Sequence, residues 1–136
     1  MGRSGYSEDY DDDGAGWLYR GAVASAICGR RGQAFLKEML AALDALPEKK
    51  LIAGDLVRDG AACAIGAVAL KRGVDVSNLD PEDAEAIAKT FGIAPAMARE
   101  IEFENDDDFS YVGKETDEQR FERVRKWIVS QIRDEN

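Results

Sequence analysis

The stretch Phe35-Leu36-Lys37-Glu38-Met39-Leu40-Ala41-Ala42-Leu43-Asp44-Ala45-Leu46-Pro47 decides the fold. Phe35, Leu36, Met39, Leu40, Leu43 and Leu46 recur at helical spacing while Lys37, Glu38 and Asp44 fall elsewhere around the axis. That is the pattern of an amphipathic helix with one face in a core, and Pro47 ends it. N-terminal to it, Gly29 and Gly32 bracket Arg30 and Arg31 and set the helix apart from the segment Trp17 to Cys28. In that segment Gly21, Ala22, Ala24, Ser25 and Ala26 stand among Leu18, Val23 and Ile27, which suits a helix packed closely against a neighbour. Residues 1–16 are polar, glycine-containing and acidic, and read as an arm before the fold.

C-terminal to Pro47, the segment Lys49 to Gly60 is ambiguous: Leu51, Ile52, Leu56 and Val57 fit a short strand or a buried extended connection, with Gly60 as its stop. Ala61 to Lys71 reads as a buried helix ending at Lys71, Arg72 and Gly73. Asp80, Pro81 and Asp83 give the next start signal, for a helix carrying Ala84, Ile87, Ala88 and Phe91 and stopping at Gly92. Another starts near Pro95 with Met97, Ala98 and Ile101. The competing reading pairs Ile101–Glu104 with Phe109–Val112 as an acidic hairpin; helix followed by loop is favoured. Thr116 to Gln119 is a capping box, and Phe121, Val124, Ile128 and Ile132 form the apolar stripe of a last helix to about Arg133, whose exposed face carries Arg120, Arg123, Arg125 and Lys126.

The expectation is therefore a mainly α fold: one helical domain of five to six helices over residues 17–136, with one short β-hairpin or strand pair, preceded by the acidic arm 1–16. The expected core is Phe35, Leu36, Leu40, Leu43, Ile65, Val68, Ile87, Phe91, Ile128 and Ile132. The 136-residue length suits a single domain, and 45% apolar with 33% charged residues is globular composition. No apolar stretch is long enough to span a membrane and no secretory leader is recognisable, so a soluble cytoplasmic protein is expected. Cys28 and Cys63 lack the spacing of a metal or redox pair and are expected to be reduced core residues.

There is no histidine, which excludes histidine-based nucleophile activation, acid/base chemistry and metal ligation. No phosphate-binding loop, dinucleotide fingerprint or nucleophile elbow is present, so a small enzyme is the third-ranked reading and no cofactor is expected. Asp9, Asp11 and Asp13 followed by Gly14 match the first half of a calcium loop, but the twelfth position is Arg20 where a glutamate is needed, and metal binding is not expected.

The net charge of −9 has a local origin. Two runs, Glu8–Asp13 and Glu100–Asp108, hold eleven of the 27 acids, leaving 16 against 18 Lys and Arg. The partner-binding candidates are accordingly Glu100, Glu102, Glu104, Asp106, Asp107 and Asp108, with Asp11, Asp12 and Asp13, facing a basic protein surface. Ala84 to Ile101 has the outline of a helix-turn-helix, but its second helix runs into six carboxylates that phosphates would repel. Direct nucleic-acid binding by the protein is disfavoured and no membrane partner is expected, and a DNA-binding regulator acting through this helix pair stands as the alternative.

Gly21-Ala22-Val23-Ala24-Ser25-Ala26-Ile27-Cys28-Gly29-Arg30-Arg31-Gly32-Gln33-Ala34-Phe35-Leu36, Leu43-Asp44-Ala45-Leu46-Pro47, Asp59-Gly60, Cys63-Ala64-Ile65-Gly66-Ala67, Arg72-Gly73, Phe91-Gly92-Ile93-Ala94 and Glu104-Asn105-Asp106 resemble a family of short uncharacterised proteins of phages and prophages of Gram-negative bacteria. The resemblance covers most of the chain from Trp17 onward and brings no catalytic residues. It implies a phage-encoded accessory protein of the host cytosol. Combined with the acidic runs, the expected function is non-enzymatic: binding a host or phage protein, as an inhibitor of a nucleic-acid-handling defence complex of the anti-CRISPR or DNA-mimic type.

Overall fold

A computed structural model of the chain describes residues 15–106 and 115–133, with side chains from Arg20 onward. The fold is mainly α with one short β-hairpin. In chain order its elements are α1 (Ala15–Cys28), α2 (Arg30–Asp44), β1 (Val57–Arg58), β2 (Ala61–Ala62), α3 (Ala64–Arg72), α4 (Ala84–Phe91), α5 (Pro95–Asp106) and α6 (Asp117–Gln131). Residues 1–14 of the arm, with Asp9, Asp11 and Asp13 of the partial calcium loop, and the segment Phe109–Val112 lie outside the described residues; Ala15 and Gly16, expected in the arm, already belong to α1.

The stripe read from α2 is the centre of the core. Phe35, Leu36, Met39 and Leu43 are buried, and the helix packs against α1, α3 and α6. Its junction with α1 is built by Gly32 and Gln33. A Cβ on Gly32 would lie 1.8 Å from the Ala26 carbonyl oxygen, so only glycine permits this close crossing. Gln33 then fastens three helix ends together: Nε2 donates to Ile27 O (2.8 Å) and Gln131 O (3.0 Å), and Oε1 accepts from Arg133 N (2.7 Å). Beyond the core, Arg72 pairs with Glu38 through two hydrogen bonds of 2.7 and 2.8 Å and lies over the rings of Phe35 and Phe91, which meet edge to face at 6.1 Å. α2, α3 and α4 are thereby joined by one guanidinium.

α6 closes the domain. Its capping box is formed in both directions, Gln119 N to Thr116 Oγ1 at 3.0 Å and Thr116 N to Gln119 Oε1 at 2.9 Å, and Phe121, Val124 and Ile128 are buried. Gly73 and Gly92, both with positive φ, end α3 and α4.

Several expectations are corrected. The hairpin lies at residues 57–62, with Val57 opposite Ala62 and Arg58 opposite Ala61. Its two-residue turn is Asp59-Gly60, both at positive φ (54° and 83°), the conformation a primed hairpin turn demands. Ile101–Glu104 is helical, within α5, in agreement with the favoured reading. α3 begins at Ala64 because Ala61 and Ala62 are spent on β2 and Cys63 is its cap. Asp83, not Asp80, caps α4, accepting from Ala86 N at 3.0 Å, while Asp80 closes the preceding turn on Glu82 N at 2.9 Å. α6 ends at Gln131. Leu40 and Ile132 are half-buried, not core. Cys63 is buried as expected, but Cys28, at the end of α1, is exposed. Arg120 and Arg123 are half-buried and engaged, so the basic face of α6 is narrower than its sequence implies.

Candidate functional site

The C-terminal end of α5 meets the N-terminal end of α3 and the loop before the hairpin, and one side chain organises the meeting. Asn105 is 2% exposed. Its Oδ1 accepts from Ala64 N at 3.1 Å, capping α3 from across the core, and its Nδ2 donates to Ile52 O at 2.9 Å and Asp106 Oδ1 at 2.7 Å. The other oxygen of Asp106 accepts from Gly54 N at 3.3 Å. Arg123 supplies the last carbonyls of α5 with a cation, donating to Glu104 O at 2.5 Å and Asn105 O at 3.4 Å while Glu115 holds its other nitrogens at 2.6 and 2.9 Å. The end of α5 is thus fixed from both sides.

Cys63 lies beside this network. Its sulfur accepts from Gly66 N at 3.4 Å, and burial pushes the thiol up to about 12, so it stays protonated. Gly66 is required because a Cβ there would come within 1.8 Å of Leu56 O, the carbonyl that also receives Cys63 N–H at 3.0 Å. The hairpin therefore rests directly on the first turn of α3.

Between these elements lies a small cleft of about 20 Å³, room for about one water molecule. Leu56, Cys63, Ile65, Ile87 and Ile101 line it, and Asp55, Glu102, Asp106 and Pro81 contribute to its walls and rim. Among the acids, Asp55 and, on α5, Glu102 and Asp106 thus meet at one apolar opening. Arg58 pairs with Asp55 at 2.6 Å.

The expected partner-binding residues divide. Glu102, Glu104 and Asp106 are half-buried on the terminal turns of α5, and Glu102 and Asp106 reach the cleft. Glu100 does not belong with them: it is 8% exposed and points to α1, where Arg20 Nη1 lies 3.6 Å from its Oε1. It closes the α1–α5 contact and is withdrawn from any partner-facing surface. Asp107, Asp108, Asp11, Asp12 and Asp13 lie outside the described residues. Sequence reasoning missed Asp55, because an isolated aspartate carries no pattern.

Among the described residues no group of three or more His, Cys, Asp or Glu is arranged to hold a metal ion, and no helix is long and apolar enough to cross a membrane. Comparison with family models, curated proteins and solved structures finds no match for the chain.

Proposed function

We propose that the chain is a non-enzymatic binding protein whose carboxylate-rimmed cleft engages a basic surface of a partner protein. The observation that carries this reading is the meeting of Asp55, Glu102 and Asp106 at a single apolar opening. A field of one sign steers a basic partner to that face. The rigid end of α5 presents Glu102 and Asp106 without further ordering, which lowers the entropic cost of binding. The resemblance to phage and prophage proteins supports an accessory role in the host cytosol. The class of partner this favours is a nucleic-acid-handling defence complex whose basic groove the acids occupy, as an anti-CRISPR or DNA mimic would.

A regulator reading DNA through α4 and α5 is the weaker alternative. The helix pair is formed, yet α5 exposes Arg99 beside Glu102 and Asp106, and duplex phosphates are repelled there.

The test is affinity capture from host cells at low salt, repeated with the variant D55N/E102Q. Capture of a basic protein that weakens about tenfold or more in the variant and falls steeply with salt supports the reading. A salt-independent partner, bound equally by the variant, refutes it. The changes D106N/D107N/D108N and D11N/D12N/D13N rank the two sequence runs, and the first is expected to weaken binding more.

A further inference from the structure

Arg30 and Arg31 occupy the first turn of α2, where the positive end of the helix dipole makes cations unfavourable, and no acid accompanies them in that turn. Both are exposed, and neither has a hydrogen bond or ion pair among the described residues. Their neighbours have clear structural duties: Gly32 permits the α1–α2 crossing and Gln33 ties three helix ends together. The two arginines have none. Gln33 also brings in a third cation, since it holds Arg133 N, and the Arg133 guanidinium donates to Cys28 Sγ at 3.2 Å, beside the same turn. Lys37, exposed and seven residues after Arg30, continues the same face of α2 about 10 Å further on.

Among the described residues, the acidic end of α5 stands away from these cations. Arg123, at the carbonyls of Glu104 and Asn105, is eight residues or about 12 Å along α6 from Gln131. That distance exceeds a Debye length of about 10 Å at 0.1 M salt.

We propose that Arg30, Arg31 and Arg133, with Lys37 at the margin, form a surface that grips the phosphate backbone of a nucleic-acid strand. Planar guanidiniums bind phosphate oxygens in pairs, and an exposed cluster of three tracks consecutive phosphates without reading bases. This site is separate from the acidic cleft and does not depend on the reading given for it. It also differs from the helix pair α4–α5, where nucleic acid is disfavoured.

The experiment is fluorescence anisotropy of the whole protein with a labelled 20-nucleotide single strand between 20 and 200 mM salt, alongside a labelled poly-glutamate peptide of matched charge. Three phosphate contacts give a slope of log K against log salt of about −2 on a single strand. R30A/R31A is expected to reduce the slope to about −0.7 and to weaken binding at 20 mM salt by tenfold or more. R133A weakens it by a smaller factor. Because Arg30 and Arg31 make no internal bonds, the double variant keeps the wild-type melting temperature, which separates loss of binding from loss of fold. Absence of binding at 20 mM salt, an unchanged slope in R30A/R31A, or equal binding of poly-glutamate each overturns the proposal.

Discussion

Replacing Asn105 by alanine tests whether one buried amide holds the end of α5, the start of α3 and the pre-hairpin loop in register. The side chain serves Ala64 N–H and Ile52 C=O, both in the interior, and orients Asp106. Alanine leaves two buried backbone groups without partners, at about 1–3 kcal/mol each, so the expected loss is about 3–5 kcal/mol. A chain of 136 residues has an unfolding entropy of ~0.29 kcal/mol/K, so the melting temperature should fall by about 10–17 °C. Circular dichroism on heating, with urea denaturation for the free energy, reads both quantities. N105D is a sharper control: it is isosteric and keeps the acceptor for Ala64 N–H, but it faces Ile52 O without a donor and sets a second carboxylate against Asp106. It should be no more stable than N105A at neutral pH and should recover as acid protonates it. A fall of less than about 3 °C in N105A, under ~1 kcal/mol, would refute the claim that these groups depend on Asn105.

Further expectations concern the core, the cysteines and acid stability. Leu36→Ala should cost about 2–5 kcal/mol by leaving a cavity in the middle of α2, and the half-buried Leu40→Ala clearly less, as measured by urea midpoints. A thiol reagent followed by mass spectrometry should add one label quickly, at Cys28, and a second, at Cys63, only on unfolding; two fast labels would contradict the burial of Cys63. The hydrogen bonds from Arg72 hold the Glu38 carboxyl below its usual range, so the pair's stabilisation is fully present above about pH 4.5 and is lost as pH falls through that lowered value. Glu38→Gln should therefore melt slightly lower than wild type at pH 7, by no more than about 1 kcal/mol for so exposed a pair, with the gap closing in acid; a gap that widens below pH 4 has the wrong sign.

How much was legible depended on whether one local rule decided the matter. α2 could be read because six apolar residues repeat at helical spacing up to a proline, and the start of α6 because a capping box needs only four residues. The hairpin was obscured by its size: with two residues per strand there is no alternation to see, although Asp59-Gly60 is a strong turn signal. The start of α4 was placed wrongly because Asp80 and Asp83 are both competent caps, and tertiary context chose the second. The acidic run in α5 misled most. Glutamate spacing alone gave Glu100 the same standing as Glu102, but Arg20 on another helix turned Glu100 inward. The cleft was unreadable for a related reason, since its rim is assembled from segments as far apart as Asp55 and Asp106.

The Gln33 clamp also sets an order of assembly. Its bonds to Gln131 and Arg133 span 98 and 100 positions, and the pairing of Asp44 with Arg125 spans 81, so almost every contact that seats α6 is remote in sequence. By contrast α1 with α2, and α4 with α5, meet across turns of a few residues. Contacts of low sequence separation close quickly and remote ones slowly. Docking of α6 into the trough that holds Phe121, Val124 and Ile128 is therefore expected to come late. Until the final helix is made and drops into that trough, its apolar walls are bare to solvent, and it is in this interval that newly made chains are most exposed to sticking to one another.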